Sequence, residues 1–283
     1  VALRVIHDTS FEVGGQAWRL TLARPLPPLC DVADLLWYIE GGSACLVSRV
    51  LPLGHSFLMF NLAAAQRVVS GSPQVYATAW LSAQHDRALD IDALGPSRIV
   101  GVRLAPHGAW HLLGIPQREL TDTVVELEAL LNGPAVRLRE QLGEAAEPAR
   151  CLRLLADWLL TRWLEGRTAH PAIAWATNQL VCSPGAVSGL AAELGYSRKH
   201  LAWLFQREIG VSPHTYARIR RFSATVSQIR TGRSVSWTNL AQICGYYDQS
   251  HLIREFRAFA GMTPEELSRA EIDDLGLLIL TRS

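Results

Sequence analysis

Two stretches of the chain gather side chains able to read the hydrogen-bonding edge of another molecule. Residues 197–207 (SRKHLAWLFQR) carry Lys199, Ala202 and Trp203 on one helical face, and residues 248–259 (DQSHLIREFRAF) carry Gln249, Ser250, Ile253 and Arg254. Arg, Gln, Ser and Lys suit the donors and acceptors that base pairs present in a major groove, and an Ile suits a thymine methyl. Beside them stand Ser197, Arg198, Arg207, Arg218, Arg220, Arg221 and Arg257, groups that suit phosphates. One such face alone is as readily a solvated helix surface. The case rests on its repetition.

The elements that would position these residues are duplicated. LAAELGYSRKHLAWLFQREIGVSP aligns with LAQICGYYDQSHLIREFRAFAGMTP with one inserted residue, matching Leu190 to Leu240, Gly195 to Gly245, Leu201 to Leu252, Phe205 to Phe256 and Pro213 to Pro264. Each copy has the anatomy of a helix-turn-helix. A short helix carries a small residue where the second helix crosses (Ala191, Ala241), and a Gly four residues on permits the turn. Ser197 and Asp248 are the N-cap candidates for the second helices. Charge follows the repeat: residues 171–262 hold ten Lys/Arg against four Asp/Glu, while residues 1–170 hold fifteen against seventeen. A basic segment joined to a slightly acidic one points to an anionic partner for the former.

Around the repeat the pattern predicts helices at 171–182, 186–194, 197–209, 213–231, 236–244, 248–260 and 264–270. Residues 1–110 read as short apolar runs broken by Gly, Pro and Ser, the texture of a β-sandwich or barrel. From residue 107 to 165 helical spacing takes over, including VELEALL and the amphipathic CLRLLADWLLTRW, which fits either its own β domain or a second subunit. Gly166 to Pro171 is the expected linker. The segment EIDDLGLLILTRS after residue 270 reads equally as a last strand, a helix or a frayed end.

Residues 171–270 resemble the DNA-binding domain of the AraC/XylS transcription regulators, on the strength of GYYDQSHLIREFRAFAGMTPEEL and of GYSRKHLAWLFQREIGVSP followed by RIRRF. The resemblance implies two reader helices, 197–207 and 248–259, in successive major grooves ~34 Å apart and joined by a rigid helix. It implies base contacts from Lys199, Ala202 and Trp203 in the first groove and from Gln249, Ser250, Ile253 and Arg254 in the second. Ala202 and Trp203 depart from the polar or Arg residues frequent there, and Trp cannot make a bidentate base contact. Residues before 171 resemble the small β domains that precede this module and that sense a small molecule, mediate dimerisation, or both.

Other chemistry is discounted. His107 and His111 share a helix face but have no third metal ligand nearby. Asp86, Asp90 and Asp92 read as a solvated loop rather than an acid/base pair. Five scattered cysteines form no CxxC and suit a reducing compartment, with Cys30 and Cys45 as redox candidates against the commoner buried thiol. Trp37, Tyr38 and Trp80 are the candidate lining of an effector pocket, against the commoner role of core aromatics. No apolar run is long enough to span a membrane, and no signal peptide is visible.

The expected fold is α+β: a β-rich, cupin- or jelly-roll-like domain over 1–166 with its helical segment 107–165, then an all-α domain of two helix-turn-helix units over 171–270. The expected function is a cytoplasmic, sequence-specific transcription regulator, not an enzyme, with no metal or cofactor. Its expected partners are double-stranded DNA, a small-molecule effector, a second copy of itself and, for an activator, RNA polymerase. The alternatives are a β-barrel enzyme and an adaptor whose helical domain no longer reads DNA.

Overall fold

The computed structural model describes residues 2–13, 15–42, 47–71, 73–131, 133–182, 187–231, 236–270, 272 and 276–280. The N-terminal half contains strands β1 (Leu3–Val13), β2 (Gln16–Pro25), β3 (Ala33–Gly41), β4 (Val47–Val50), β5 (Phe57–Asn61), β6 (Gln66–Val68), β7 (Gln74–Tyr76), β8 (Ala79–Ser82), β9 (Leu89–Ala93) and β10 (Ser97–Leu104). Then follow α1 (Gly108–Leu113), β11 (Val124–Glu126), α2 (Leu127–Leu131), α3 (Gly133–Glu144) and α4 (Pro148–Glu165). The helical half comprises α5 (Pro171–Cys182), α6 (Val187–Glu193), α7 (Arg198–Glu208), α8 (Pro213–Arg230), α9 (Trp237–Ile243), α10 (Gln249–Ala260) and α11 (Pro264–Ser268), and strand β12 (Leu277–Leu280) closes the series. The fold class is α+β, as expected.

The strands form two antiparallel sheets, ordered β1-β2-β3-β10-β5-β8-β11 and β12-β4-β9-β6-β7. Alternation along β3 shows how the larger sheet is covered. Leu36 and Tyr38 join the main core with Leu58, Phe60, Val100 and Val102, and that core continues into α3 and α4 through Leu138, Leu142, Leu152, Leu155 and Leu159. Leu35 and Trp37 point the other way, against Leu22 and Phe57, with Leu277 of β12 packed beside them. The amphipathic face of α4 is therefore spent on its own β domain. VELEALL is not helical throughout: Val124–Glu126 pairs with Trp80–Ser82 as an edge strand before α2 begins. That sheet partner lies far away in sequence, where local periodicity carries no signal.

The helical half packs around two apolar clusters. One joins α5, α6, α7 and the start of α8 through Ile173, Leu180, Leu190, Leu201, Phe205 and Tyr216. The other joins the rest of α8 to α9, α10 and α11 through Phe222, Ala241, Leu252, Phe256 and Leu267. This second cluster also contains Leu51 of the β domain and the fully buried Leu278 of β12. The segment after residue 270 thus ends as a strand on β4, with Leu277 opposite Val50 and Leu280 opposite Val47. Further bonds cross between the halves: Arg220 Nη1 donates to Leu53 O (3.1 Å), Arg49 Nη1 to Ala260 O (3.0 Å) and Ala88 N to Phe259 O (2.7 Å). Between α4 and α5 the backbone is tied on both sides, by Arg167 N to His111 O and by His170 N to Glu208 Oε2.

Candidate nucleic-acid interface

The two sequence repeats become the same structure twice. After α6, Gly195 takes φ 70°, and after α9, Gly245 takes φ 76°, the left-handed conformation that side-chain-bearing residues avoid. Gly195 N donates to Ala192 O and Tyr196 N to Ala191 O; Gly245 N donates to Gln242 O and Tyr246 N to Ala241 O. Each is a Schellman closure of the first helix, satisfying its last carbonyls. The second helices then start on matching caps. Ser197 Oγ accepts from His200 N (3.1 Å), and Asp248 Oδ1 accepts from His251 N (2.7 Å). The inserted residue of the second copy is Tyr247, which stands 91% exposed between the turn and the cap.

Both reader helices bury one face and expose the other. Leu201, Leu204 and Phe205 of α7, and Leu252, Phe256 and Phe259 of α10, are core. On α10 the outer row is Gln249, Ser250, Arg254 and Arg257, all exposed, with Ile253 half-buried among them. On α7 the outer row is Arg198, Lys199 and Gln206, exposed, with Ala202 half-buried and Trp203 45% exposed. The candidate base-reading residues thus stand together on each helix.

The candidate phosphate residues divide. Ser197, Arg198 and Arg257 are exposed beside the readers. Arg218 and Arg221 of α8 instead turn inward onto the buried carboxylate of Glu255 in α10. Arg218 Nε donates to Oε1 (2.7 Å) and Arg221 Nη2 to both oxygens (3.0 and 3.1 Å). Arg221 also lies over the Tyr246 ring and Arg218 over that of Phe259. These two guanidiniums set the second reader against the connecting helix rather than offering themselves outward. Arg220 is spent on Leu53 O. Arg207 bonds the buried Glu208 and lies over two indoles, 4.4 Å from the Trp203 ring centroid and 5.2 Å from that of Trp110. Sequence missed Glu255 as an organising group, although one signal was present: it is an acid at the register of Leu204, on the inward face of a basic helix.

The aromatic trio in the β domain is not assembled. Trp37 and Trp80 share a sheet face, in a cross-strand row through Gly101 and Met59, whereas Tyr38 faces the helices. All three are buried, and the Tyr38 hydroxyl donates to Glu40 (2.6 Å). Burial and that bond push its pKa up to about 12. Open clefts occur elsewhere. One of about 270 Å³ lies between α3 and α4, against Arg137, Trp158 and Arg162. Another of about 220 Å³ lies between the halves, against Arg87, Thr215 and Phe259. Among the described residues no three side chains gather as metal ligands, and His111 Nε2 is engaged with Trp163 O (3.1 Å). Asp90 and Asp92 are paired with Arg49 and Arg67. Cys45 lies outside the described residues. No described helix is long and apolar enough to cross a membrane.

Residues 190–270 match the model of a helix-turn-helix domain, and residues 22–126 match a domain of unknown function (DUF6597). No curated protein matches the chain. Among solved structures, ToxT from Vibrio cholerae aligns at 10% identity over 80% of this chain and 94% of its own, with a TM-score of 0.47. Unsaturated fatty acid-bound ToxT aligns at 12% identity over 80% and 91%, with a TM-score of 0.46. The AraC-like transcriptional activator CuxR aligns at 16% identity over 73% and 80%, with a TM-score of 0.30. Likenesses of that degree leave the architecture to rest on this chain's own geometry. With the duplicated turn-and-cap frame, the domain match defines a DNA-binding transcription regulator. Its helix-turn-helix domain is of the AraC type.

Proposed function

We propose that this regulator reads DNA with both of its helix-turn-helix units, α7 and α10 entering adjacent major grooves, and that a small molecule at the N-terminal domain modulates the outcome. The observation that carries the reading is the repeated Schellman turn and N-cap, which holds two outward polar helix faces in equivalent frames. Gln249, Ser250 and Arg254 supply hydrogen bonds to base edges, Ile253 an apolar contact, and Lys199 the one charged base contact of the first helix. Trp203 and Ala202 add apolar contact only. Arg198, Arg257 and Ser197 hold the backbone. Two units on one chain give a bipartite site, and a homodimer doubles it. In this reading the protein works in the cytoplasm as an activator that meets RNA polymerase, and it performs no catalysis.

The test is to select genomic fragments with the purified protein at ~150 mM salt, a stringency that suppresses nonspecific electrostatics, and to sequence what is retained. Two enriched boxes about one helical turn apart are expected. A single box removes the first unit from the reading. No enrichment, with binding only at low salt, removes sequence recognition altogether.

A further inference from the structure

Reader helix α7 does not stand alone against solvent. Trp203, its most prominent outward residue, has its indole face covered by the guanidinium of Arg207, one turn further along the helix. The same guanidinium lies over the indole of Trp110, which belongs to α1 in the β domain and is 6% exposed. Trp110 is met again by the guanidinium of Arg167, at 5.5 Å. On the other side of the row His200 stacks on Trp203, with centroids 5.9 Å apart and planes 25° apart. The row therefore runs from Arg167 and Trp110 through Arg207 to Trp203, guanidiniums alternating with indoles, and the imidazole of His200 ends it. Nearby, Thr121 Oγ1 donates to Gly210 O (2.9 Å), where an added Cβ would sit 2.6 Å from that hydroxyl, so the two halves are in close contact at the end of α7.

We propose that Trp110 is a positioning residue for DNA recognition: through Arg207 it fixes the indole of Trp203 and so sets the base preference of the first reader. The inference rests on the proposed reading of DNA by both units. Its physical basis is that a guanidinium lying over two rings is held by both, and a ring covered by it loses rotamer freedom before any base arrives. A side chain that reads by shape alone is informative only when its orientation is set in advance. The β domain also bonds the far end of α10, at Phe259 O and Ala260 O, but among the described residues no comparable row of rings and guanidiniums runs from it to the outer face of α10.

The experiment uses the full chain and reads the two boxes separately by sequencing selected DNA, with Arg254→Ala marking which box belongs to α10. Trp110→Phe keeps a ring under Arg207, whereas Trp110→Leu keeps apolar volume without one. Trp110→Leu is expected to lower base preference in the α7 box by ~3- to 30-fold, the range of one cation–π contact, and to leave the α10 box intact. Trp110→Phe is expected to restore most of it. Arg207→Lys, which keeps the charge beside Glu208 but loses the planar fork, is expected to behave like Trp110→Leu and guards against a folding defect at position 110. Equal loss in both boxes, an unchanged α7 box in Trp110→Leu, or a Trp110→Phe as damaged as Trp110→Leu each overturns the positioning role. A wild-type protein that selects no motif, or only the α10 box, instead overturns the reading on which the role rests.

Discussion

The two helix-turn-helix units share a backbone frame and differ in what holds it. In the second, the buried charge of the reader is met from within the helical half: Glu255 of α10 receives Arg218 and Arg221 of α8, and both guanidiniums also lie over rings of the same unit, while the β domain bonds the far end of α10 at Phe259 O and Ala260 O. In the first, the support comes from outside. Arg207 reaches Trp110, Gly210 receives Thr121, and Glu208 accepts from the backbone of His170. Equivalent turns and caps thus do not make equivalent readers. In one the reader's buried carboxylate is met by the helix that connects the units; in the other the reader's outward ring is reached, through Arg207, from the domain that precedes them.

The sharpest way to break the second unit is Glu255→Ala. It strands two guanidiniums around a buried site, and removing one partner of such a cluster costs about 3–5 kcal/mol. Urea denaturation should show a clearly lowered midpoint; an unchanged midpoint would mean the cluster holds nothing. The β domain itself should lose stability in acid. His85, buried in the β domain with Nε2 3.1 Å from Ser82 Oγ, has its pKa pulled down to about 4 by burial. Its folded pKa lies below the ordinary 6.5, so the unfolded chain takes up the proton first. The stability His85 contributes is complete above about pH 6.5 and is lost as pH falls toward 4. Roughly 2 kcal/mol should disappear between pH 7.5 and 5, and His85→Gln should flatten that part of the profile.

Arg254→Ala should cost ~1–3 kcal/mol of DNA affinity and relax preference in the α10 box alone, with stability unchanged. Uniform loss on all sequences would reassign Arg254 to the backbone. The smallest effect contrasts two arginines. Arg198→Ala should reduce the slope of log affinity against log salt by about one. Arg220→Ala should leave the slope alone, because its guanidinium is bound to Leu53 O. A flattened slope in Arg220→Ala would show that this bond opens on DNA.

The local code explains why the helical half was legible. Pro at 213 and 264, Ser or Thr before them and Gly at the turns mark helix ends by their own backbone chemistry, and α8 and α10 begin and end within a residue of the expected 213–231 and 248–260. The grouping of Gln249, Ser250, Ile253 and Arg254 on one face follows from the same periodicity. What stayed hidden depends on contacts between distant segments. Nothing near Arg218 or Arg221 in sequence says that a carboxylate from α10 will meet them, and a basic helix looks the same whether its arginines point outward or across the core. Arg207 could not be told from Arg198 without Trp110. Trp37, Tyr38 and Trp80 read as one group because they are aromatic, while strand alternation sends Tyr38 to the opposite face. The segment 124–126 was hidden for the same reason, since its partner is β8.

The strand Leu277–Leu280 has a consequence in time. Its partner Val47–Val50 is made early and its own residues late, after both reader units. At ~5–20 residues per second of synthesis, the edge of β4 waits about ten seconds or longer for its neighbour. Throughout that interval a row of backbone donors and acceptors faces outward, with Leu51 lacking the cover that Leu278 and the helices later provide. A growing chain is therefore open to mispairing with another chain at this edge, and arrival of β12 ends the exposure.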